Sequence, residues 1–489
     1  MFNQNIYTMK TLKKLFLLIA VTGLLFSCSK SGQSFDMPGM SEKDHKGHPY
    51  AHEKTFFVEP NGTDDTENLR NAFAEALVYG PEAVVQLKEG TYHIDFIEVR
   101  EFYGEFRGAG KEKTVITTID DLSVDALISQ NLNSVLIRFV GGNVQMSNMT
   151  LKTPHGALST GSEFWLDALV AFSAATCQYT SEDEYINAAI NNVGFEGNWD
   201  NIDHGLKTGF GIKENVTGPG TIPLFNTDIS ITDCSFSGFW LYGTLIEGIR
   251  EGKITAGVKN HGNIFDNIYY ASLGIWSNVS MKLSVEGNTF FNPEGTRFGL
   301  EIYSSPRPDY FEQLPQTFPS FCKIEQNEFD ITGGTGGTLI NDRRRNFFPD
   351  ESPMLVQVRN NRFNMSNNAY TGIGCFNMMG MMILHNRFTG TGQYGVRIMG
   401  PLPYPYNENG MMIGNCFSNT TYSITTVLLD VRTKNWKIIG GDLEGNVTDN
   451  GENNTIINMK KHNPKTPLGS SIFDNLEEIR DTNHHMRGH

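Results

Sequence analysis

The chain has 489 residues and a formal net charge of −15, and only 19% of its residues are charged. Nucleic-acid-binding proteins need a basic face to meet phosphates, and the sequence has no block rich in Lys or Arg apart from Arg343, Arg344 and Arg345. We therefore expect no nucleic-acid partner. The 50 glycines and the many short apolar runs favour frequent turns between short strands over long helices.

The first residues are typical of an export signal. A basic stretch that ends at Lys14 precedes the apolar run 15–26, which is too short to span a bilayer comfortably. The sequence Leu25-Phe26-Ser27-Cys28 resembles the bacterial lipobox, in which the cysteine thiol is acylated and becomes the mature N-terminus. We predict a lipoprotein signal peptide over 1–28 that ends at lipidated Cys28. The alternative is an ordinary secretory signal with a chance cysteine.

The lipobox resemblance implies a cell-envelope protein whose only membrane contact is its lipid anchor. Ser29, directly after the cysteine, resembles the signal for sorting to the outer membrane, and it leaves open whether the protein faces the periplasm or the surface. Residues 29–54 are polar and contain Gly, Ser, Pro and His, which predicts a flexible tether.

A six-residue motif recurs along the chain: an aliphatic residue, two variable residues, Asn, one variable residue and Phe. Full copies are Val285-Glu-Gly-Asn288-Thr-Phe290, Ile324-Glu-Gln-Asn327-Glu-Phe329, Val358-Arg-Asn-Asn361-Arg-Phe363 and Ile383-Leu-His-Asn386-Arg-Phe388, and Met412-Ile-Gly-Asn415-Cys-Phe417 is nearly complete. The shorter intervals between the Phe residues are 25–29 residues, and longer intervals indicate the same unit with an insertion. One short strand motif per such unit predicts a β-solenoid, in which each strand pairs with its equivalent in the next coil.

The motif also predicts what lies inside the solenoid. Asn and Phe two residues apart can both face inward, so the Phe rings should stack along the interior. Asn tolerates a left-handed turn and can bond neighbouring backbone groups, so stacked Asn side chains should satisfy a buried bend. In the units that end at Phe195 and Phe236, the polar residues Asn192 and Asp233 stand one place early.

The segment before the repeats predicts a helix that covers one end of the solenoid. Asp64-Asp65-Thr66-Glu67 is typical of a helix start, and apolar residues recur at helical spacing from Leu69 to Leu77. Such a cap covers an open apolar end that would otherwise aggregate. We predict an all-β fold, with the β-helix over 55–460 and a C-terminal cap or tail over 461–489.

The start of this region is similar to the pectate lyase superfamily. The similarity rests on Asp64-Asp65-Thr66, Gly90-Thr91-Tyr92 and Phe106-Arg107-Gly108-Ala109-Gly110-Lys111, and it covers about 55–460. The similarity implies a right-handed parallel β-helix, which is a single-stranded solenoid. It is specific for architecture rather than for activity. We expect a monomer.

A β-helix presents a long shallow groove bordered by insertions between coils, which suits an extended polymer. The insertions here, about 153–185, 199–226, 304–321, 339–353 and 401–409, are rich in aromatic residues, Asp and Pro. Aromatic faces can stack on sugar rings and carboxylates can bind hydroxyls. We therefore expect a polysaccharide as the partner, with uronic and sulfated polymers among the candidates.

Three segments supply most of the candidate catalytic and binding residues, and His204, His261 and Arg397 stand outside them. Glu301 stands on an expected strand as the best single acid or base, with Tyr303 close by. Ser305-Pro306-Arg307-Pro308-Asp309-Tyr310 is similar to the Arg beside Pro of pectate lyases, and the Arg343–Arg344–Arg345 cluster could hold a uronate or sulfate. The catalytic candidates are Glu301, Arg307, Asp309 and Arg344, and the substrate-binding candidates are Tyr303, Tyr310, Arg343, Arg345, Arg397, His204 and His261.

The chemistry stays open at this point. Hydrolysis needs two carboxylates about 5 to 9.5 Å apart, and the polygalacturonase motifs are not complete, since Asp203-His204-Gly205 and His261-Gly262 are fragments. β-Elimination needs a base and a group that neutralises the uronate. The alternatives are a lyase or hydrolase, a non-catalytic glycan-binding or adhesin-like protein, and a structural envelope protein. The five cysteines after Cys28 are scattered and predict neither disulfides nor a zinc site. No cofactor is required, and Ca²⁺ is left open.

Overall fold

The structure is a computed structural model. It describes residues 53–119, 135–153, 165–173, 185–198, 207–214, 226–247, 251–255, 262–277, 282–292, 297–304, 321–333, 336–342, 354–399, 406–441 and 447–457. The signal peptide, nearly all of the tether and the C-terminal tail expected from the sequence lie outside these residues.

The described chain consists of one helix, α1 (Thr66–Tyr79), and short strands. In chain order the strands are β1 (Lys54–Val58), β2 (Ala83–Leu87), β3 (Gly90–Ile94), β4 (Ile97–Arg107), β5 (Thr114–Thr118), β6 (Val135–Lys152), β7 (Trp165–Ser173), β8 (Tyr185–Glu196), β9 (Lys207–Glu214), β10 (Asn226–Thr232), β11 (Ser235–Phe239), β12 (Tyr242–Glu247), β13 (Glu251–Thr255), β14 (Ile264–Ile268), β15 (Ala271–Ser277), β16 (Lys282–Glu286), β17 (Thr289–Asn292), β18 (Phe298–Ser304), β19 (Phe321–Glu325), β20 (Glu328–Thr332), β21 (Gly336–Asp342), β22 (Leu355–Arg359), β23 (Arg362–Phe376), β24 (Met382–Leu384), β25 (Arg387–Met399), β26 (Asn407–Glu408), β27 (Met411–Ile413), β28 (Cys416–Leu429), β29 (Thr433–Lys434), β30 (Lys437–Ile439), β31 (Val447–Asp449) and β32 (Thr455–Ile457).

Each strand pairs in parallel with its equivalent in the next coil, which produces three long sheets. Sheet A carries the aliphatic residue of the motif, as in β16, β19 and β22. Sheet B carries the Phe, as in β17 and β20, and sheet C follows it, as in β15, β18 and β21. Long strands such as β25 turn a corner and belong to both B and C. The predicted parallel β-helix is confirmed.

The interior of sheet B is a column of aromatic rings. Successive rings lie 4.5–5.0 Å apart with interplanar angles of 4–9°. This spacing equals that of paired strands, so the rings repeat at the period of the backbone. The predicted Phe stack is confirmed, and it contains Phe195, Phe236, Phe265, Phe290, Phe329, Phe363, Phe388 and Phe417.

The corner between sheets A and B contains a ladder of buried asparagines. Asn327 shows the pattern: its Oδ1 accepts from the backbone N–H and the Nδ2 of Asn288, each at 2.9 Å. Its own Nδ2 donates to the carbonyl of Val285 and to Oδ1 of Asn361. The predicted role of Asn at a buried bend is confirmed along Asn263, Asn288, Asn327, Asn361, Asn386 and Asn415.

The left-handed residue of this corner is not the ladder asparagine, as the sequence suggested, but the residue before it. Gly287, Gln326 and His385 have φ values of 64°, 57° and 52°. Asn192 and Asp233, which stood one place early, take this left-handed position with φ of 53°. The ladder position in those coils belongs to the buried, apolar Val193 and Cys234.

Helix α1 closes the N-terminal end of the solenoid, as predicted. Its buried Phe73 ring lies 5.3 Å from Phe102, 5.1 Å from Phe106 and 6.0 Å from Phe139, on the first described coils. Leu77, expected on the same face, is 38% exposed. Within the described part of the chain, no helix is long and apolar enough to cross a membrane.

Most of the described cysteines are small buried apolar residues. Cys234, Cys322 and Cys375 are buried free thiols, and Cys416 is a half-buried one. Burial raises the pKa of the Cys234 thiol to about 12, so this thiol stays protonated and unreactive at neutral pH. Cys177 lies outside the described residues.

Candidate active site on the outer face of sheet C

Glu301 projects from the outer face of sheet C. It stands on β18 between Leu300 and Ile302, whose side chains belong to the main core, and neighbouring residues on a strand face opposite ways. The strand register aligns it with one outward row, which we call the Glu301 row: Leu245, Gly274, Glu301, Leu339, Gly374 and Arg397.

The coils before Glu301 carry apolar residues on this same face. They form a second buried cluster, separate from the core, composed of Val135, Ala168, Ala171, Tyr242, Leu245 and Ala271. Glu301 follows this cluster in the Glu301 row and is itself fully buried. Burying a carboxylate costs free energy unless polar groups compensate for the lost water. The group that bonds to Glu301 is therefore part of the candidate site.

That partner is Tyr242, two coils earlier. Its hydroxyl donates to Oε2 of Glu301 at 2.7 Å. The ring reaches across Gly274, which stands between them in the stack: a Cβ at this glycine would lie 2.4 Å from Cε1 of Tyr242. The absence of a side chain at position 274 is therefore what lets the tyrosine contact Glu301.

Two further tyrosines surround this pair. Burial, followed by the charge of Glu301, raises the pKa of Tyr242 well above its usual range, and nearby Tyr270 and Tyr303 act in the same direction. Tyr242 and Tyr270 have ring centres 5.2 Å apart, and the Arg297 guanidinium lies 4.9 Å from the centre of the Tyr270 ring. Tyr242 is therefore a neutral hydrogen-bond donor at every ordinary pH.

Arg397 lies further along the Glu301 row, and Leu428 follows it in the next coil. Its guanidinium lies 5.0 Å from the ring centre of Tyr394 and 5.4 Å from that of Tyr370. Its Nε is buried and meets no acceptor within the described coils. Burial lowers the pKa of Arg397, and the negative charge of Asp430 partly offsets this by raising the pKa.

Strands β18 and β21 of sheet C end side by side. β18 ends at Ser304, which pairs with Asp342 at the end of β21. The chain next enters described strands at β19 and β22. The buried Asp342 carboxylate accepts the backbone N–H of Met354 at 3.0 Å, which ties the end of β21 to the start of the following coil. The segments with the candidate arginines thus begin at neighbouring positions beside Tyr303.

The structure brings together part of the predicted site. Glu301 and Tyr303 stand two residues apart on β18, and Arg397 shares the Glu301 row. Eight other candidates lie outside the described residues: His204, His261, Arg307, Asp309, Tyr310, Arg343, Arg344 and Arg345.

Sequence reasoning missed Tyr242, Tyr394 and Gly274. A signal for both tyrosines exists, because Tyr242 follows Phe236 at the same offset as Tyr394 follows Phe388. Counting from the Phe column would have placed both on sheet C. Nothing local in the sequence marks Gly274.

No group of three or more His, Cys, Asp or Glu side chains suited to a metal ion occurs among the residues that the structure describes. Ca²⁺ binding, which the sequence left open, therefore finds no set of ligands in this part of the chain.

Comparison with known proteins gives similarity in structure but not in sequence. The chain matches no family model, and no curated protein matches it. Among solved structures it is similar to the A-module of the Azotobacter vinelandii mannuronan C-5 epimerase AlgE6, with a TM-score of 0.51 and 14% identity over 82% of this chain and 97% of that one. The A-module of AlgE4 from the same organism gives 0.51 and 14% over 83% and 98%.

The fold is the right-handed parallel β-helix. The right-handed parallel β-helix that the resemblance to the pectate lyase superfamily implied is thereby confirmed as the architecture. Identities this low show the fold alone, so activity has to be argued from the Tyr242–Glu301 site itself.

Proposed function

We propose that this protein is a cell-envelope enzyme that binds an extended polysaccharide along the outer face of sheet C and processes it by proton transfer at Glu301. The observation that carries the proposal is the buried Glu301 carboxylate with the Tyr242 hydroxyl bonded to it. A buried ionisable pair on the outer face of a sheet is typical of an acid–base site.

Removal of a proton beside a uronate carboxylate suits this pair better than hydrolysis. Proton removal needs one positioned base, which Glu301 supplies, and an orienting donor, which Tyr242 supplies. Hydrolysis needs a second carboxylate about 5 to 9.5 Å away. Asp309 is the sequence candidate for that second carboxylate, and Arg307 and Arg344 are the candidates to neutralise a uronate. The AlgE6 and AlgE4 A-modules are named as mannuronan C-5 epimerases, which supports uronate chemistry here by analogy of fold only.

The test uses the mature chain from position 28 with Cys28→Ser, incubated with uronic, sulfated and neutral polysaccharides. Ultraviolet absorbance detects unsaturated ends, a reducing-end assay detects hydrolysis, and deuterium uptake from heavy water detects proton removal at carbon. We expect deuterium uptake or unsaturated product, reduced by about 100-fold or more in Glu301→Gln because a general base is lost.

Glu325→Gln is the matched control, since Glu325 is also buried but lies on sheet A in ion pairs with Lys323 and Arg359. The control should retain the wild-type rate. Full activity in Glu301→Gln would contradict the proposed site. Reducing ends without deuterium uptake would instead assign a hydrolase and direct attention to Asp309.

A second candidate function is glycan binding without chemistry. It is favoured by the half-buried Trp240 and Tyr269, whose rings stack 4.3 Å apart at 3° on the connections that lead into sheet C. Such aromatic surfaces can bind sugar rings through their apolar faces. Binding of a polysaccharide with no product and no deuterium uptake would select this function, and Trp240→Ala should then weaken binding.

We also propose that the protein is a lipoprotein anchored through Cys28, with Ser29 directing it to the outer membrane. The support is the lipobox-like Leu25-Phe26-Ser27-Cys28. A full-length chain should label with a fatty acid and sediment with outer membranes. Cys28→Ser should lose the label and move to the soluble fraction, whereas a labelled Cys28→Ser chain would contradict the assignment.

A further inference from the structure

The half-buried cations of the described coils are normally paired with carboxylates. Arg107 contacts Glu53 and Glu105, and Lys323 and Arg359 share Glu325. This is expected, because a charge that leaves water needs compensation. Arg397 differs, because among the described residues it makes no ion pair: it contacts the rings of Tyr370 and Tyr394, and the carboxylate of Asp430 acts on it only through its charge.

The surroundings of Arg397 leave part of its guanidinium without an acceptor in the described structure. Aromatic rings attract the face of a guanidinium by cation–π interaction, but they leave its planar edge available. That edge presents donors in a fork that matches two oxygens of a carboxylate or sulfate. The Nε is buried and meets no acceptor in the described structure, so an anion would meet the guanidinium at its two terminal nitrogens.

Arg397 also has a defined position relative to the acid–base pair. It lies three coils beyond Glu301 in the same row, a separation of about 14 Å. The positions between them are Leu339 and Gly374, so this stretch of the row carries no side chain with charge. A polymer that lies parallel to the solenoid axis would pass from Glu301 to Arg397 over the uncharged positions Leu339 and Gly374.

We propose that Arg397 binds an anionic group of the polysaccharide, a carboxylate or a sulfate, at a subsite roughly three sugar units from the unit at Glu301. The inference rests on the proposed function, and it adds the substrate's charge, its direction along the solenoid and a minimum length. A chain too short to reach Arg397 loses this contact, and so does a neutral polymer.

The experiment compares Arg397→Met with Arg387→Met. Arg387 is exposed on the same strand, β25, but on the sheet B side. We expect Arg397→Met to raise KM for a uronate polymer by about tenfold or more, the range for a lost hydrogen bond to a charged group, with kcat nearly unchanged. Arg387→Met should leave both constants unchanged. Arg397→Lys should restore only part of the loss, since an ammonium lacks the planar fork.

Three series of ligands sharpen the test. The effect of Arg397→Met should vanish on the carboxyl-reduced form of the same polymer and on oligosaccharides too short to span the two subsites. Testing sulfated and uronate polymers side by side identifies which anion Arg397 prefers. Equal losses on charged and reduced polymers, with a lowered melting temperature, would assign Arg397 a structural role and overturn the proposal.

Failure of this inference is distinguishable from failure of the proposed function. Calorimetric titration with a uronate polymer measures the contribution of Arg397 even where no product forms. Weaker binding in Arg397→Met with no chemistry in the wild type would reject catalysis but support the subsite. Normal catalysis and unchanged binding in Arg397→Met would reject the subsite alone.

Discussion

The Tyr242 hydroxyl donates a 2.7 Å hydrogen bond to Glu301 across two coils of the solenoid. The two residues are 59 positions apart in the chain, so the contact exists only because the coils stack in register. One coil supplies the donor, the next supplies a glycine and the third supplies the carboxylate. The candidate site is thus a property of the stack and of no single repeat.

The role of Gly274 gives the first prediction. Gly274→Ala places a Cβ 2.4 Å from the Tyr242 ring, so the ring must move and its bond to Glu301 must lengthen. We expect the rate of polysaccharide processing to fall by about 100-fold, the effect of a misplacement of about 1 Å in a catalytic group.

Gly374→Ala is the control for this substitution. It lies in the same row, but the nearest atom to its Cβ would be 3.5 Å away, an ordinary contact. The rate should stay near that of the wild type. Equal rates for Gly274→Ala and the wild type would show that Tyr242 does not need its present position.

The second prediction concerns alkaline pH. Burial raises the pKa values of Tyr92, Tyr242 and Tyr422 above the usual value of tyrosine, which is near 10. Below about pH 10 the phenol is protonated in both the folded and the unfolded chain. Above it the unfolded chain ionises first, so the free energy of unfolding falls as pH rises.

Phenolate absorbance and denaturant unfolding measure this effect together. Tyr422→Phe should reduce the steepness with which the free energy of unfolding falls above about pH 10, because one late-ionising group is gone. Free ionisation of all tyrosines in the folded protein would contradict the expectation.

The fold was accessible from the sequence because the interior repeats. Each coil places an aliphatic residue, an Asn and a Phe at equivalent buried positions. The motif can therefore be recognised in the sequence wherever the corner between sheets A and B has the same number of residues. Asn327 and Phe329 take part in the ladder and the ring column as predicted. The left-handed residue escaped prediction because Gly, Gln, Asn and His all occupy it.

The site was less accessible because the connection from sheet B to sheet C varies in length. Arg397 follows Phe388 by 9 residues and Glu301 follows Phe290 by 11, although both stand in the same outward row. A difference of even one residue reverses the face of a strand residue. Sequence alone could nominate Glu301 but could not align it with Tyr242 and Arg397.

The third prediction concerns the glycines of sheet C that face the Phe column. A Cβ at Gly372 would lie 2.7 Å from the Phe388 ring and 2.7 Å from the Gly395 carbonyl oxygen. Gly372→Ala should therefore destabilise the fold by about 1–3 kcal/mol through overpacking. Gly374→Ala, two residues away on β23, should cost less than Gly372→Ala in the same denaturant titration. If both variants lose a similar free energy of unfolding, the Phe column must shift to accommodate the added methyl group at little cost.

The fourth prediction concerns the asparagine ladder. Asn327→Ala removes both the acceptor for the Asn288 backbone N–H and the donor to the Val285 carbonyl. Each buried group left without a partner costs about 1–3 kcal/mol, so the free energy of unfolding should fall by about 3 kcal/mol. Chemical denaturation followed by circular dichroism measures the loss.

Asn364→Ala is the matched control for the ladder, because Asn364 is half-buried on the outside of sheet B, where it donates to Glu328 at 3.0 Å and accepts from Thr389 at 2.9 Å. Water can replace those partners, so the free energy of unfolding should fall by less than about 1 kcal/mol. If the two variants lose the same free energy, the ladder contributes no more than a surface hydrogen bond. The corner would then be stabilised by the buried Phe and aliphatic residues of the motif rather than by the ladder.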